Sequence, residues 1–281
     1  MMNIENILKI GFQKLNNNNI RNASLDCELL LSKAINKNRE FIMLNLKKNL
    51  KNNNINIFNN LIERRKTGEP VAYLTNKKYF WKEAFYVDKN VLIPRPDTEI
   101  LVESITRLTK AGSKLHILDI GTGSGCILLS ILKERMNFIG TGIDISKKSI
   151  KISKYNAKKL NLTKKSKFYI SDIDNFLFGK YDVIVSNPPY IEDCDLKYLD
   201  KDVVGFEPRM ALKGGKDGLL EITKVINGAS RLIKKNGLFV LEIGYNQKNK
   251  VTKILKKKGF YIINRLKDYN KNDRCIISKK I

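Results

Sequence analysis

The sequence predicts a mostly parallel, doubly wound α/β domain preceded by a small all-helical unit. Three observations carry this expectation. From Leu115 onward, short apolar runs alternate with stretches of helical length. A glycine-rich turn, Gly121-Thr122-Gly123-Ser124-Gly125, joins the first of those runs to the first of those helices. Before Gly68 the apolar residues recur at helical spacing. Alternating strands and helices need crossover connections, and crossovers build parallel sheets.

Residues 1–68 read as a helical bundle. Ile4, Ile7, Leu8 and Leu15 share one helical face. Ser24 is placed to cap a second helix, with Asp26 and Glu28 in its first turn and Leu29, Leu30 and Ile35 behind them. Asn38 is placed to cap a short third through Phe41, Ile42 and Leu46, and Ile55–Lys66 forms a fourth that stops at Gly68. This part holds no cluster of chemically active residues, so its expected role is substrate docking.

Residues 69–97 read as a linker. Tyr79–Trp81 and Phe85–Val87 suit two short strands of a hairpin around Lys82-Glu83-Ala84. Pro94 and Pro96 stiffen the approach to a helix over Thr98–Leu108.

Residues 98–281 carry the alternation. Strands are expected at Leu115–Ile120, Phe138–Ile143, Lys167–Ile170, Val183–Ser186 and Leu238–Ile243. Helices are expected at Cys126–Arg135, Lys147–Leu160 and Leu219–Lys234. Phe260–Leu266 and Arg274–Ser278 lie close enough in sequence for an antiparallel finish.

Composition narrows the class. The chain has 281 residues, 42% of them apolar, which excludes a disordered polymer and suffices for a core. No apolar run approaches the about 20 residues of a helical membrane span, and Met1–Leu15 lacks the apolar centre of a signal peptide. A cytosolic, cytoplasmic protein with no membrane association is expected, and a monomer. Cys27, Cys126, Cys194 and Cys275 are scattered, so neither a disulfide framework nor a metal site is expected. The net charge of +25 has two open explanations. One is a surface for RNA or for a partner that works among RNA. The other is compositional drift, because Lys and Asn also crowd dull stretches such as Asn52–Asn54 and the basic residues form no block.

The chemistry begins at the glycine loop. Gly121, Gly123 and Gly125 let the backbone turn sharply and let a ligand approach with no Cβ between. Thr122 and Ser124 stand between them in the same turn. The dinucleotide fingerprint would need a glycine where Cys126 stands, and no Walker-type ending follows. Asp144 ends the next strand, where a carboxylate can accept from both ribose hydroxyls. An adenosine recognised without a phosphate cradle favours S-adenosylmethionine over NAD.

Asn187-Pro188-Pro189-Tyr190 follows Val183–Ser186 at the carboxyl end of a strand, where ligands of doubly wound sheets bind. The prolines remove two N–H donors and leave carbonyl acceptors. A planar NH2 group has two hydrogens, and the Asn187 side-chain oxygen and the Pro188 carbonyl can take one each, with Tyr190 stacked on the plane. Two acceptors pull a conjugated nitrogen toward tetrahedral geometry and free its lone pair. His116, the one histidine, lies in the first strand and reads as structural. The motif specifies a nitrogen and leaves open adenine, guanine or glutamine.

The glycine loop and Asp144 resemble those of the class I methyltransferases, which implies a Rossmann-like, seven-stranded sheet with its last strand antiparallel. Over nearly its full length the sequence resembles the HemK-type release-factor glutamine methyltransferases. Beyond the four-residue motif, the resemblance is carried by Gly68-Glu69-Pro70-Val71-Ala72-Tyr73-Leu74 and Leu92-Ile93-Pro94-Arg95-Pro96-Asp97-Thr98-Glu99. It continues in Phe206-Glu207-Pro208-Arg209-Met210-Ala211-Leu212, Gly214-Gly215-Lys216-Asp217-Gly218, and Glu242-Ile243-Gly244 with Gln247.

The resemblance implies five N-terminal helices and a hairpin linker. It implies methylation of the glutamine of the Gly-Gly-Gln motif in bacterial class I peptide chain release factors, with no stable nucleic-acid binding required. It places Asp172 beside the adenine and Ile173 next to it as a cofactor-binding residue, so that the adenine would rest on an aliphatic surface where relatives can carry an aromatic. Arg95, Thr98 and Glu99 either position the substrate or hold the junction, and Glu207 and Pro208 shape the substrate loop. An adenine-N6 methyltransferase acting on RNA or DNA remains the alternative from the motif alone. A non-catalytic RNA- or ribosome-binding protein on the same fold is the third reading.

Overall fold

The computed structural model describes residues 2–281 and divides into two compact units, one made of the chain up to Lys77 with Asp200–Phe206, the other of Lys78–Leu199 with Glu207–Ile281. The first contains five consecutive helices, as the resemblance implies: α1 (Ile4–Asn16), α2 (Ala23–Ile35), α3 (Arg39–Leu44), α4 (Asn52–Lys66) and α5 (Val71–Thr75). Asn38 caps α3, its side chain accepting from the Phe41 N–H at 3.0 Å. Ser24 is not a cap: α2 starts at Ala23 behind Asn22, because Ala23 is pulled into the core and carries the helix start back with it. The helix α5, inside residues 69–97, has no periodicity long enough to be read and ends on Asn76 in the left-handed region. Ile4, Ile7, Leu30, Ile42, Phe58 and Ile62 form the unit's core, every one almost fully buried.

The second unit opens with an antiparallel hairpin, β1 (Lys78–Phe80) and β2 (Glu83–Phe85). The turn is tighter than the aromatic runs suggest. Trp81 leaves the strand and takes φ of 56°, its backbone N–H held by Glu99 at 2.7 Å and its indole N–H by Glu134 at 2.8 Å. A single 3-10 turn, Pro96–Thr98, then leads into α6 (Glu99–Leu108).

The sheet follows in alternation: β3 (His116–Ile120), α7 (Cys126–Glu134), β4 (Ile139–Asp144), α8 (Lys147–Lys159), β5 (Ser166–Ile170) and β6 (Tyr181–Ser186). After the short α9 (Lys201–Phe206) come α10 (Leu220–Leu232), β7 (Ile233–Glu242), α11 (Lys248–Lys257), β8 (Phe260–Lys267) and β9 (Asp273–Lys280). The strand order is β5-β4-β3-β6-β7-β9-β8, and β9 alone runs antiparallel to its neighbours. This is the expected seven-stranded class I architecture. β7 begins earlier than its apolar run: Ile233 pairs with Tyr181, while the polar Lys234-Lys235-Asn236 that follow hide the strand from a hydrophobicity reading.

Strand side chains alternate between two cores. Ile117, Val183, Val185 and Val240 join α6 and α7 on one face, and Leu118, Ile184, Phe239 and Leu241 join α10 and α11 on the other. In the central strands β3 and β6 both faces are covered, so these read as continuous apolar runs, whereas the outer strands β5 and β8 are largely exposed. In the order β4-β3-β6 the chain reverses direction of winding between β3 and β6, and the loops after these two strands open outward at that point.

Candidate active site

The carboxyl ends of four strands gather the site. Register pairs Ile120 with Ile143 and with Ser186, and Ser186 with Leu241. The glycine loop after β3, Asp144 at the end of β4, Asn187 after β6 and Glu242 at the end of β7 are therefore neighbours by strand geometry. The Ser186 hydroxyl donates to the Ile120 carbonyl at 2.8 Å, tying the two loop-bearing strands together.

The glycine loop has φ of 73°, 55° and 81° at Gly121, Gly123 and Gly125, a backbone L side chains rarely adopt. A Cβ on Gly121 would meet nothing within 4 Å, so the loop is bare on its ligand side. On Gly125 it would meet Leu129 Cδ1 at 3.1 Å and Ser153 Cβ at 3.2 Å, so this glycine serves packing. Thr122 and Ser124 are buried. The Thr122 hydroxyl donates to Asp119 Oδ2 at 2.7 Å, and the Ser124 carbonyl accepts from Asn156 at 2.9 Å. Asp119 is fully buried, and burial pushes its carboxyl up to about 7.

Asp144 is half-buried. Oδ2 accepts from the Gly123 N–H at 3.0 Å and Oδ1 from the Ser146 N–H at 2.8 Å. Burial raises its pKa, opposed by those two N–H groups and by the Ser149 hydroxyl. A carboxylate has about four acceptor positions, so the two N–H groups leave acceptor capacity for ribose hydroxyls. Bare backbone beside a half-buried carboxylate, without a phosphate cradle, fits S-adenosylmethionine. Asp172 is partly exposed and accepts from the Asp174 N–H at 2.9 Å. Ile173 does not offer the adenine the aliphatic surface expected of it: it is only 6% exposed, its side chain committed to the core beneath α10, where Gly228 leaves it room.

The Asn187-Pro188-Pro189-Tyr190 segment is held from behind. Asn187 Nδ2 donates to the Thr98 hydroxyl at 3.1 Å. The Tyr190 hydroxyl donates to Glu242 Oε1 at 3.1 Å and accepts from Arg274 at 3.1 Å, with the guanidinium 5.9 Å from the ring centroid. Arg274 in turn donates to Asp268 Oδ2 at 2.9 Å. Burial drives the Tyr190 phenol upward, reinforced by the Glu242 charge. Gln247 ties three loops: Nε2 donates to the Tyr190 carbonyl at 3.0 Å and to the Gly218 carbonyl at 3.1 Å, and Oε1 accepts from the Gly244 N–H at 2.9 Å.

Of the remaining expectations, Arg95 pairs with Glu207 at 2.6 Å, and Glu207, almost fully buried, also accepts from the Ile93 N–H at 3.1 Å. Glu99 holds the Trp81 turn. His116 is exposed at the start of β3, the opposite end of the strand from the glycine loop. The cysteines are all free, with Cys194 exposed. No helix among the described residues is long and apolar enough to cross a membrane. Sequence reasoning assigned no role to Glu242, Arg274 or Asp119. Glu242 stood within a quoted segment, whereas Arg274 sits in a strand whose sequence carries no signal of its partners.

Comparison with known proteins matches residues 6–75 to the family described as PrmC N-terminal domain and residues 111–275 to that described as Methyltransferase domain. Over 279 residues the chain is 39% identical to the release factor glutamine methyltransferase of Buchnera aphidicola subsp. Acyrthosiphon pisum, covering 99% of each chain. It is 35% identical to the enzyme of that description from Clostridium acetobutylicum, covering 99% of this chain and 98% of the relative. Among solved structures, a methyltransferase from Pyrococcus furiosus is similar in fold, with a TM-score of 0.52 at 18% identity, over 70% of this chain and 88% of that one.

Proposed function

The chain belongs to the release factor glutamine methyltransferase family, and on that premise we propose that it methylates the side-chain amide nitrogen of the Gly-Gly-Gln glutamine in class I peptide chain release factors. The supporting observation is Asn187: it stands beside the glycine loop at the point where the sheet reverses, with its amide nitrogen turned back onto Thr98.

S-adenosylmethionine supplies an electrophilic methyl on a sulfonium, itself a good leaving group. Gly121–Gly125 and Asp144 hold the adenosine side, with Asp172 near the base. Asn187 Oδ1 and the Pro188 carbonyl each accept one hydrogen of the substrate NH2. The planar nitrogen is thereby drawn out of conjugation and its lone pair aimed at the methyl. As the nitrogen becomes more acidic along the reaction, the same two acceptors hold its protons until one leaves to water. Pro188 and Pro189 keep the acceptors fixed, so little reorganisation is needed at the moment of transfer. The Tyr190 ring forms the wall on which the substrate amide lies. Residues 1–68 dock the protein substrate, residues 69–97 link, and residues 98–281 perform the chemistry.

Mass spectrometry of a release factor after incubation with enzyme and S-adenosylmethionine tests this reading. One added methyl on the Gly-Gly-Gln glutamine is expected. Transfer to adenine in RNA or DNA, with the glutamine untouched, would replace it with the nucleic-acid alternative.

A further inference from the structure

We propose that Thr98 and Glu242 are positioning residues that fix which end of the Asn187 side-chain amide faces the substrate. The inference rests on the glutamine reading above and concerns groups the reaction itself never touches.

The argument is one of proton direction along a buried chain. Arg274 has donors only, so its contact with the Tyr190 oxygen leaves the phenolic hydrogen pointing away. That hydrogen goes to Glu242 Oε1. Glu242 is 1% exposed and ends β7 beside Cys275 of β9. Its second oxygen, Oε2, is buried with no hydrogen-bond partner. The Thr98 hydroxyl is close enough to this carboxylate to favour its anion, and its hydrogen is not spent on Asn187. A threonine hydroxyl has one hydrogen. Directed to Glu242, it leaves only lone pairs for Asn187, and Thr98 accordingly accepts from Asn187 Nδ2 at 3.1 Å. With Nδ2 so engaged, Oδ1 is the end left for the substrate.

The two ends of an asparagine amide are nearly equal in size, so packing cannot choose between them. Hydrogen-bond polarity can. A donor end presented to the substrate NH2 would set donor against donor and lose the contact on which nitrogen activation depends.

Glu242→Gln tests polarity at constant shape. Its oxygen still accepts from Tyr190, but its NH2 then donates to Thr98, whose hydrogen must turn to Asn187 and reverse that amide. The expected result is a fall in kcat of about 10- to 100-fold, with KM for release factor, cofactor affinity and fold within about twofold of wild type. Thr98→Val should lower kcat in the same way, and Thr98→Ser should restore most of it. Wild-type kcat in folded E242Q, or T98S as defective as T98V, overturns the proposal.

A readout independent of turnover is solvent exchange of the Asn187 side-chain NH2 followed by 15N NMR. It should be protected in wild type and lose protection in E242Q and T98V; unchanged protection in both overturns the proposal. If the wild type transfers no methyl to glutamine, the functional reading falls, while the exchange measurement still decides the orientation.

Discussion

Arg65 and Asp202 are 137 positions apart in the chain and are joined by an ion pair of 2.8 Å. Arg65 also donates to Asp26 at 2.8 Å, so one buried guanidinium serves α2, α4 and α9. Asp202 lies in Asp200–Phe206, a segment that leaves the Asn187–Tyr190 loop, packs with the helical unit and returns at Glu207. Arg65→Ala strands Asp26, whose pKa is already raised by burial, and should cost about 3–5 kcal/mol. Asp202→Asn should cost less than about 1 kcal/mol, since that side chain is 39% exposed and screened. Urea unfolding of both variants checks the order; equal costs would remove Asp26 from the account.

The acid at the end of β4 is predicted to govern cofactor affinity. Asp144→Asn keeps one acceptor and loses the charge, and should weaken S-adenosylmethionine binding by roughly 10- to 100-fold. Asp144→Ala also frees the Gly123 and Ser146 N–H groups and should weaken it further. Calorimetry with wild-type affinity in the Asn variant would take Asp144 out of the cofactor site.

Gly218 has φ of 67°, and a Cβ there would stand 2.4 Å from both Gln247 Nε2 and the Tyr190 carbonyl oxygen. Gly218→Ala must therefore shift the Asn187–Tyr190 loop or Gln247. It should lower kcat at least about tenfold through displacement of the acceptors, with cofactor affinity nearly unchanged. A loss of cofactor affinity equal to the loss of kcat would argue for general unfolding.

Stability should depend on pH through Glu242 and Asp119, each raised by burial to about 7. The folded state binds these protons more tightly than the unfolded chain, so their stabilisation is complete below the unfolded carboxyl range and is lost as pH rises through about 7. Tyr190, Thr98 and Arg274 favour the Glu242 anion while Asp97 opposes it, and Cys275 lies beside it. The melting temperature should fall between about pH 5 and pH 8, and E242Q should flatten that slope. Activity should move oppositely, rising as Glu242 ionises. A melting temperature that rises across this window contradicts both assignments.

The +25 charge is predicted to act on encounter with an acidic partner. Stopped-flow association with release factor should then slow steeply from low to physiological salt. A flat response assigns the charge to compositional drift.

The class of fold, the strand–glycine loop–helix–acid series and the Asn187–Tyr190 motif were legible because each depends on residues close in sequence. A left-handed turn needs glycine whatever surrounds it, and a buried parallel strand must be apolar on both faces. Where periodicity was short or interrupted, the reading failed: α5 was too brief, and polar Lys234-Lys235-Asn236 concealed the start of β7. The Trp81 turn escaped because an aromatic residue there takes its backbone conformation from Glu99, a distant partner.

By itself, then, the sequence determined that a bare backbone turn, an acid and two proline-flanked acceptors would stand at the same end of one sheet. Only the tertiary structure decided how those acceptors are aimed. The Asn187–Tyr190 segment, Thr98, Glu242 and Arg274 come from four separate stretches of chain, and their order of donors and acceptors exists only when β6, β7, β9 and the Pro96–Thr98 turn are packed together. Local spacing can specify a hydrogen-bonding residue, but the direction of its hydrogen is set by the far partner, and that partner is chosen by the fold.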